Sequence, residues 1–457
     1  MINKLANSYG DLSIKQVNSL AISTQRGTFI TWRKDTGVPL HNFITWKDLR
    51  AAELIKQING SWKMMALRTG SFLLHFLTRI TKLAVLSHLK FASSHVTIRL
   101  LWFLQNHPEV QKALQEQNLM FGTLDTWLIY KLTKGKFYVT DISNASATGM
   151  FDPFSLCWSF LPKIFKIPID IFPMVVDNSY DFGEVTKDIF GEGIKIGAVM
   201  SDQSASMYGS CCFNKNDIKV TLGTGAFLNL NTAERIQGVS HGMYPLVGWK
   251  NENEVVYLAE VACSDAGSLM QWMLAIGLIS NSEESSYIAN SVKDNGGVYF
   301  IPAFSGLGPP INNESAATGF IGIKPTTNKA HMIRAVLESI AYKIAMAYDL
   351  LNSECPTTSL MYIKADGGVS KNDFICQLLA NLTNLNVKRS KFEMATLGVA
   401  YFAGQSCGFW KSKEDILKID RVEDVFKPTE NQTLAKELRD NLENWQRAAD
   451  RFTSWYK

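Results

Sequence analysis

Asp366-Gly367-Gly368-Val369-Ser370-Lys371-Asn372 follows the apolar run Met361–Ala365 and leads into Phe374-Ile375-Cys376-Gln377-Leu378-Leu379. The run reads as a buried strand and the tail as a helix, which puts the glycine pair at a strand-to-helix turn. Two glycines there let the backbone approach a ligand closely, and a helix N-terminus favours an anion. A nucleotide suits that arrangement. An ordinary tight turn suits it equally, and only the rest of the chain decides between them.

Working outward, Ile194–Met200 is a continuous apolar strand ending at Ser201-Asp202-Gln203. Ile218–Leu222, the turn Gly223-Thr224-Gly225 and Ala226–Asn231 read as a hairpin. Val255–Val261 and Val298–Pro302 are further strands, the second running into Phe304-Ser305-Gly306-Leu307-Gly308-Pro309-Pro310. A long helix from His331 to about Asn352 has apolar residues on most faces and is expected at the centre of a lobe.

Nearer the start, Val17–Ser23 reads as a strand ending in Thr24-Gln25-Arg26, with Thr28–Trp32 as a second strand pairing with it. A turn follows at Asp35-Thr36-Gly37. Residues from about Lys47 to Gln117 are helical by pattern, punctuated at Asn59-Gly60 and Asn106-His107-Pro108. Gly122–Lys131 reads as another helix, Pro153 to Gly183 as loop-rich, and the charged segment after Trp410 as helical, ending on Leu434–Tyr456. Strands and helices alternate, so the fold class is α/β.

A chain of 457 residues, 46% hydrophobic and 19% charged, has material for two lobes with large cores. The boundary falls most naturally near Cys211–Lys219. A formal net charge of +4 argues for neither a nucleic-acid surface nor a membrane patch. Seven scattered cysteines without metal-ligand spacing read as reduced thiols. The stretch Phe72–Leu89 is interrupted by His75, Arg79, Lys82 and His88, so it reads as a buried or interface helix rather than a bilayer span. No signal peptide opens the sequence, and the expected location is cytoplasmic.

Three constellations carry chemistry. Asp202 follows an apolar strand, where ligand groups collect in open α/β sheets, and a carboxylate there can take the proton from a hydroxyl nucleophile. On spacing alone a helix N-cap is the favoured role. Gly223-Thr224-Gly225 exposes backbone N–H groups and a hydroxyl suited to a phosphate, but a plain hairpin turn fits as well. The same holds for Ser305-Gly306-Leu307-Gly308. Arg26 can donate to a hydroxylated ligand and Trp46 can offer an apolar wall. Neither a GxxxxGK[ST] loop nor a strand-borne GxGxxG is present, so a P-loop or Rossmann site is not supported.

Taken in order, these segments resemble the FGGY carbohydrate kinases of the glycerol kinase type. The matching blocks are Ile22–Arg26, Phe43–Trp46, Phe121–Leu128, Thr140–Ser146, Ser201–Gln203 and Leu222–Phe227. They continue through Pro302–Gly308, Leu337–Tyr342, the Asp366-Gly367-Gly368 turn with Asn372, and Ala403-Gly404 leading to Gly408-Phe409-Trp410. The resemblance implies two actin-like, ribonuclease-H-like domains with a cleft between them, a polyol-binding domain at 1–213 and a nucleotide-binding domain at 214–457. It implies ATP-dependent phosphorylation of glycerol or a related polyol to sn-glycerol 3-phosphate, with Asp202 as general base. Arg26, Trp46, Asp202, Gln203 and Phe227 take polyol-contacting positions. Thr224, Gly306, Gly368 and Asn372 take ATP-contacting positions, and Mg²⁺ accompanies the phosphates. Partners are then glycerol and ATP, without nucleic acid or membrane insertion, and homo-oligomers remain compatible.

Two departures from the family pattern stand out. Glycerol kinases carry Glu where this chain has Gly27, and losing a buried acceptor costs about 1–3 kcal/mol of polyol binding. The aromatic contact expected around Phe91–Trp102 has no clear equivalent. The family also opens with a strand–turn–strand bearing an Asp-x-Gly-Thr/Ser phosphate loop, whereas only sixteen residues precede Val17 and none form that motif. The first domain is therefore expected to start without those strands, leaving an unpaired strand edge. The alternative expectation is a catalytically impaired nucleotide- and polyol-binding regulatory protein of the same fold.

Overall fold

The computed structural model describes residues 14–237, 242–263, 265–356, 361–419 and 423–456. They fall into two compact units. The first holds Met1–Cys211 together with Leu246–Tyr257 and Ala395–Ile419, and the second holds Cys212–Pro245, Leu258–Met394 and Asp420–Lys457. The chain leaves the first unit at Cys211 and later returns to it twice, which a linear reading does not convey.

In the first unit, Leu20–Thr24 lies parallel to Ile194–Ser201, which pairs on its other side with Glu184–Val185. Thr24 sits opposite Ser201, so the carboxyl ends of the two strands are level. Among the described residues Leu20–Thr24 is paired on one side only. A cleft of about 520 Å³ near it is lined by Val17, Ser19, Ala21, Gly404 and Trp410 among others.

The expected pairing of Thr28–Trp32 with the first strand is not what forms. The second strand, Phe29–Arg33, runs antiparallel to Leu119–Thr123 instead. Its aromatic residues account for the choice. Phe29 is fully buried against Phe103 and Phe121, and Trp32 is fully buried among Trp127, Tyr130 and Tyr138. That pairing also corrects the helix expected from Gly122, because Gly122 and Thr123 end a strand and the helix spans Leu124–Leu132.

Between these strands lie the helices Ala52–Asn59, Trp62–Thr78, Thr81–Ser87, Val96–Asn106 and Pro108–Gln115. Breaks fall at Gly60 and His107, as the sequence pattern requires. A further break comes at Arg79, which takes a left-handed φ of 58° and donates its N–H to His75 O. The segment Phe72–Leu89 is consequently two helices, and it is not buried: Phe72, Leu73, Phe76 and Leu77 all face solvent.

The second unit is built on a seven-stranded sheet. Its order is Met243–Lys250, Val255–Cys263, Ala226–Ala233, Ile218–Leu222, Tyr362–Asp366, Asn386–Ser390 and Glu423–Phe426. Of the first two strands only residues 243–245 and 258–263 belong to this unit. The expected hairpin is present, with Leu222 opposite Ala226. Lys329–Glu354, capped by a reciprocal Asn328–His331 box, is the buried central helix, and Gln432–Asp450 packs its Leu438, Leu442 and Trp445 into the same core. All seven cysteines are free thiols. No described helix is long and apolar enough to cross a membrane.

Candidate active site

Parallel pairing of Leu20–Thr24 with Ile194–Ser201 sets the geometry of the first half-site. The chain leaves one strand end through Gln25 and Arg26 and the other through Asp202, the first residue of the helix Asp202–Gly209. Arg26 Nε lies 3.8 Å from Asp202 Oδ1. The arginine side chain is 12% exposed and the carboxylate 38% exposed, so the pair is anchored on one side and open on the other. Ser201, not Asp202, is the N-cap, its hydroxyl accepting from Ser204 N–H. The capping role weighed for Asp202 is thereby filled by its neighbour. Asp202 Oδ1 accepts the N–H of the next residue, Gln203, at 2.8 Å. Gln203 is buried, and its Oε1 has no hydrogen-bond partner.

Trp46 reaches the same corner. Phe29 and Ile44 exchange backbone hydrogen bonds, which brings the loop carrying Trp46 beside Gly27. Lys47 Nζ stands 5.3 Å from the Trp46 ring centre. Gly27 has φ +67°, and a Cβ placed on it would meet Ser94 O at 2.8 Å and Trp46 Cβ at 3.4 Å. Both the backbone and the space require glycine here.

What sequence reasoning missed is Arg99. Fully buried, it donates to five carbonyl oxygens: Gly27, Ser94, Thr45, His95 and, at 3.4 Å, Ile44. Burial lowers the Arg99 guanidinium to about 10, and desolvation together with the Arg99 charge pushes the half-buried neighbour His95 down to about 4. Arg99 thus fixes the loops that carry Arg26 and Trp46. An arginine inside an apolar helical run is the signal that could have revealed it. Phe91, by contrast, is a core residue packed on Phe165.

A second network sits behind the strand ends. Asp141 Oδ1 accepts from Ser143 N, Asn144 N and Asn178 Nδ2, and Oδ2 accepts from Asn144 Nδ2. Asn144 Oδ1 in turn accepts from Thr24 Oγ1, and Ser143 Oγ accepts from Ser201 N. The block Thr140–Ser146 therefore ties down both strand ends. Asn144, in the glycosylation-like tripeptide, is buried and fully engaged. Asp125, also buried, bonds Thr140 Oγ1 and Asp141 N through Oδ2, while its Oδ1 has no partner. Burial pushes both carboxyls up, and Asp141 is raised further by the charge of Asp125. With donors gathered on Asp141, the proton of the pair belongs on Asp125.

In the second unit the glycine turns gather at one end of the sheet. Ile218–Leu222 and Tyr362–Asp366 are parallel neighbours with Thr221 opposite Asp366. Their carboxyl ends lead into Gly223-Thr224-Gly225 and Gly367-Gly368. Gly367 has φ +91° and lies so close to Leu222 that a Cβ would sit 2.5 Å from its carbonyl oxygen. Gly368 is open, with nothing within 4 Å of an added Cβ, and Thr224 is exposed. Beneath the turns, Lys219 Nζ meets Asp366 Oδ1 at 2.6 Å, the two side chains 2% and 5% exposed. The first N–H groups of the helix Gly267–Ala275 bond Gly223 O and Thr224 O.

Asn372 caps the helix Asp373–Thr383, its amide taken up by Ile375 N–H and Ser285 Oγ. Gly306 lies in a separate loop, linked to the Gly267–Ala275 helix through Phe304 against Trp272. Phe227 lies opposite Thr221 across the hairpin of the second unit.

Residues 1–209 match the N-terminal domain of the FGGY family of carbohydrate kinases, and residues 218–407 match its C-terminal domain. The chain is 45% identical to human glycerol kinase 5 over 97% of its own length and 84% of that protein. It is 34% identical to a glycerol kinase of Borrelia garinii, over 96% of this chain and 85% of that one. Among solved structures, Plasmodium falciparum glycerol kinase with ADP superposes with a TM-score of 0.83 at 29% identity, covering 99% of this chain and 86% of that one. Gluconate kinase from Lactobacillus acidophilus shares the fold with a TM-score of 0.79 at 21% identity, over 100% of this chain and 88% of that one. By both domains and by its relatives, the chain belongs to the FGGY family of carbohydrate kinases.

Proposed function

We propose that the protein transfers the γ-phosphoryl group of ATP to a hydroxyl of glycerol or a closely related small polyol. The observation that carries this reading is the Arg26–Asp202 pair, a half-open carboxylate beside a guanidinium at level strand ends. A polyol hydroxyl bound there gives its proton to Asp202 as its oxygen attacks the γ-phosphorus in line and ADP departs. Arg26 and the orphan Oε1 of Gln203 hold the neighbouring hydroxyls, and Trp46 covers the carbon chain. Phe227 is assigned to the same ligand.

ATP is assigned to the turns of the second unit. The open backbone at Gly368 and the exposed Thr224 suit phosphate oxygens, and Gly306 and Asn372 complete the nucleotide contacts. Asn372 contributes through its backbone, since its amide is already engaged. Mg²⁺ supplies charge neutralisation on the phosphates and arrives with the nucleotide. Coupled measurement of polyol-dependent ADP release by the purified chain, wild type against Asp202→Asn, tests the assignment.

Gly27 favours a second reading, in which nucleotide and polyol bind with little turnover. Its left-handed backbone and the nearby Ser94 carbonyl leave no room for an acceptor side chain. In that case glycerol and ATP raise the melting temperature while no product forms.

A further inference from the structure

The helix Trp62–Thr78 is apolar on its outer face as well as on the inner one that carries the buried Met64. Trp62, Met65, Phe72, Leu73, Phe76 and Leu77 recur at three- and four-residue spacing and share one face, and that face is the exposed one. Trp62 is 74% exposed and Leu77 76%. The inner side is anchored by the fully buried Met64, with Leu67 against the same core and Ser71 buried beside it, while Arg68 turns inward to Asn59 O and Met64 O. At 1.5 Å per residue the stripe is about 25 Å long. That is a large apolar surface for a soluble face, and it marks a contact site.

Charge says what the contact is. Between Glu53 and Glu109 the sequence contains no acidic residue, while Lys56, Lys63, Arg68, Arg79, Lys82, Lys90 and Arg99 are all basic. Arg68 and Arg99 are used internally and Lys82 pairs with Asp152. Lys56, Lys63, Arg79 and Lys90 are exposed, Lys63 and Arg79 at the two ends of the stripe. Arg79 lies over the Phe76 ring at 5.4 Å, a cation stacked on the apolar face itself. The overall charge of +4 conceals this concentration. A second copy of the chain would set cations against cations, whereas an anionic bilayer surface complements both features.

We propose that the helix Trp62–Thr78 is a membrane-surface contact that lies in the plane of an anionic bilayer, its apolar stripe in the headgroup–acyl boundary. The tryptophan opening the helix suits that depth. The inference is independent of the phosphoryl-transfer reading.

The test floats the purified full chain with vesicles of phosphatidylcholine alone or mixed with phosphatidylserine. Binding to the anionic vesicles is expected to exceed that to the neutral ones by at least ~10-fold. Leu73→Glu with Phe76→Glu, and separately Lys63→Glu with Arg79→Glu, should each abolish most of it with the melting temperature unchanged, since all four side chains are exposed. Absence of binding to anionic vesicles overturns the proposal, as does binding that survives the Leu73/Phe76 substitutions. So does lipid-free dimerisation in sedimentation that those substitutions abolish, which would assign the face to a second copy.

Discussion

Arg99 Nη2 donates to the carbonyl oxygen of Gly27 at 2.6 Å, and through that bond a buried guanidinium sets the turn from which Arg26 projects. The same group holds Thr45 O at 2.7 Å, one residue before Trp46. Arg99→Met removes the donor and strands several buried carbonyls. The expected loss is about 3 kcal/mol in denaturant unfolding. Arg99→Lys keeps one charge but not the fork, so it should recover only part of the stability and leave KM for the polyol raised more than kcat is lowered.

Gly27 invites replacement by the family's glutamate. With φ +67° and a backbone oxygen 2.8 Å from the added Cβ, both Gly27→Ala and Gly27→Glu should destabilise the chain by about 1–3 kcal/mol. Gly27→Glu is expected not to improve activity. Melting temperature and polyol KM, measured together, check this.

The buried pair of Asp125 and Asp141 makes a pH prediction. Burial and mutual repulsion raise the Asp141 carboxyl from 3.8 to about 7, and Asp125 is raised as well. In that window the folded chain keeps a proton that the unfolded chain has released. This contribution to stability is therefore complete below about pH 4 and is lost as pH rises through about 7. Asp125→Asn imitates the protonated acid. Its stability relative to wild type should climb from pH 4 to pH 8, as read from melting temperatures of the two proteins at each pH.

Lys219 and Asp366 form a buried ion pair beneath the glycine turns, 2.6 Å apart. Lys219→Met leaves a carboxylate buried without its partner and should cost about 3–5 kcal/mol of stability. Lys219→Met with Asp366→Leu should restore most of it. Urea unfolding of the three chains provides the measurement.

Much of this was legible in the residues. The Gly223–Gly225 hairpin, the strand before Asp366-Gly367-Gly368 and the long central helix each carry a local signal, in periodicity or turn residues, and each formed as read. Arg26 and Asp202 lie side by side because two parallel strands end level, and the Phe29–Ile44 pairing brings Trp46 beside Gly27. Pairing partners were less legible. Phe29–Arg33 chose Leu119–Thr123 through aromatic packing from residues ninety positions away, and nothing local to Thr28–Trp32 encodes that. Arg99 was hidden for the same reason, since three of its partners are carbonyls of two distant loops, at Gly27 and at Ile44–Thr45. For Phe72–Leu89 the pattern leaves a buried and an interface helix open, because periodicity gives a helix its apolar face but not what covers it, and the exposure of Phe72, Leu73, Phe76 and Leu77 removes the buried alternative.

The most direct test is polyol-dependent ADP release by the purified chain, with glycerol first, comparing wild type and Asp202→Asn at matched folding. The account predicts measurable turnover by the wild type and a loss of about 10²-fold or more in the variant, with the melting temperature unchanged. Equal rates from the two proteins would contradict it.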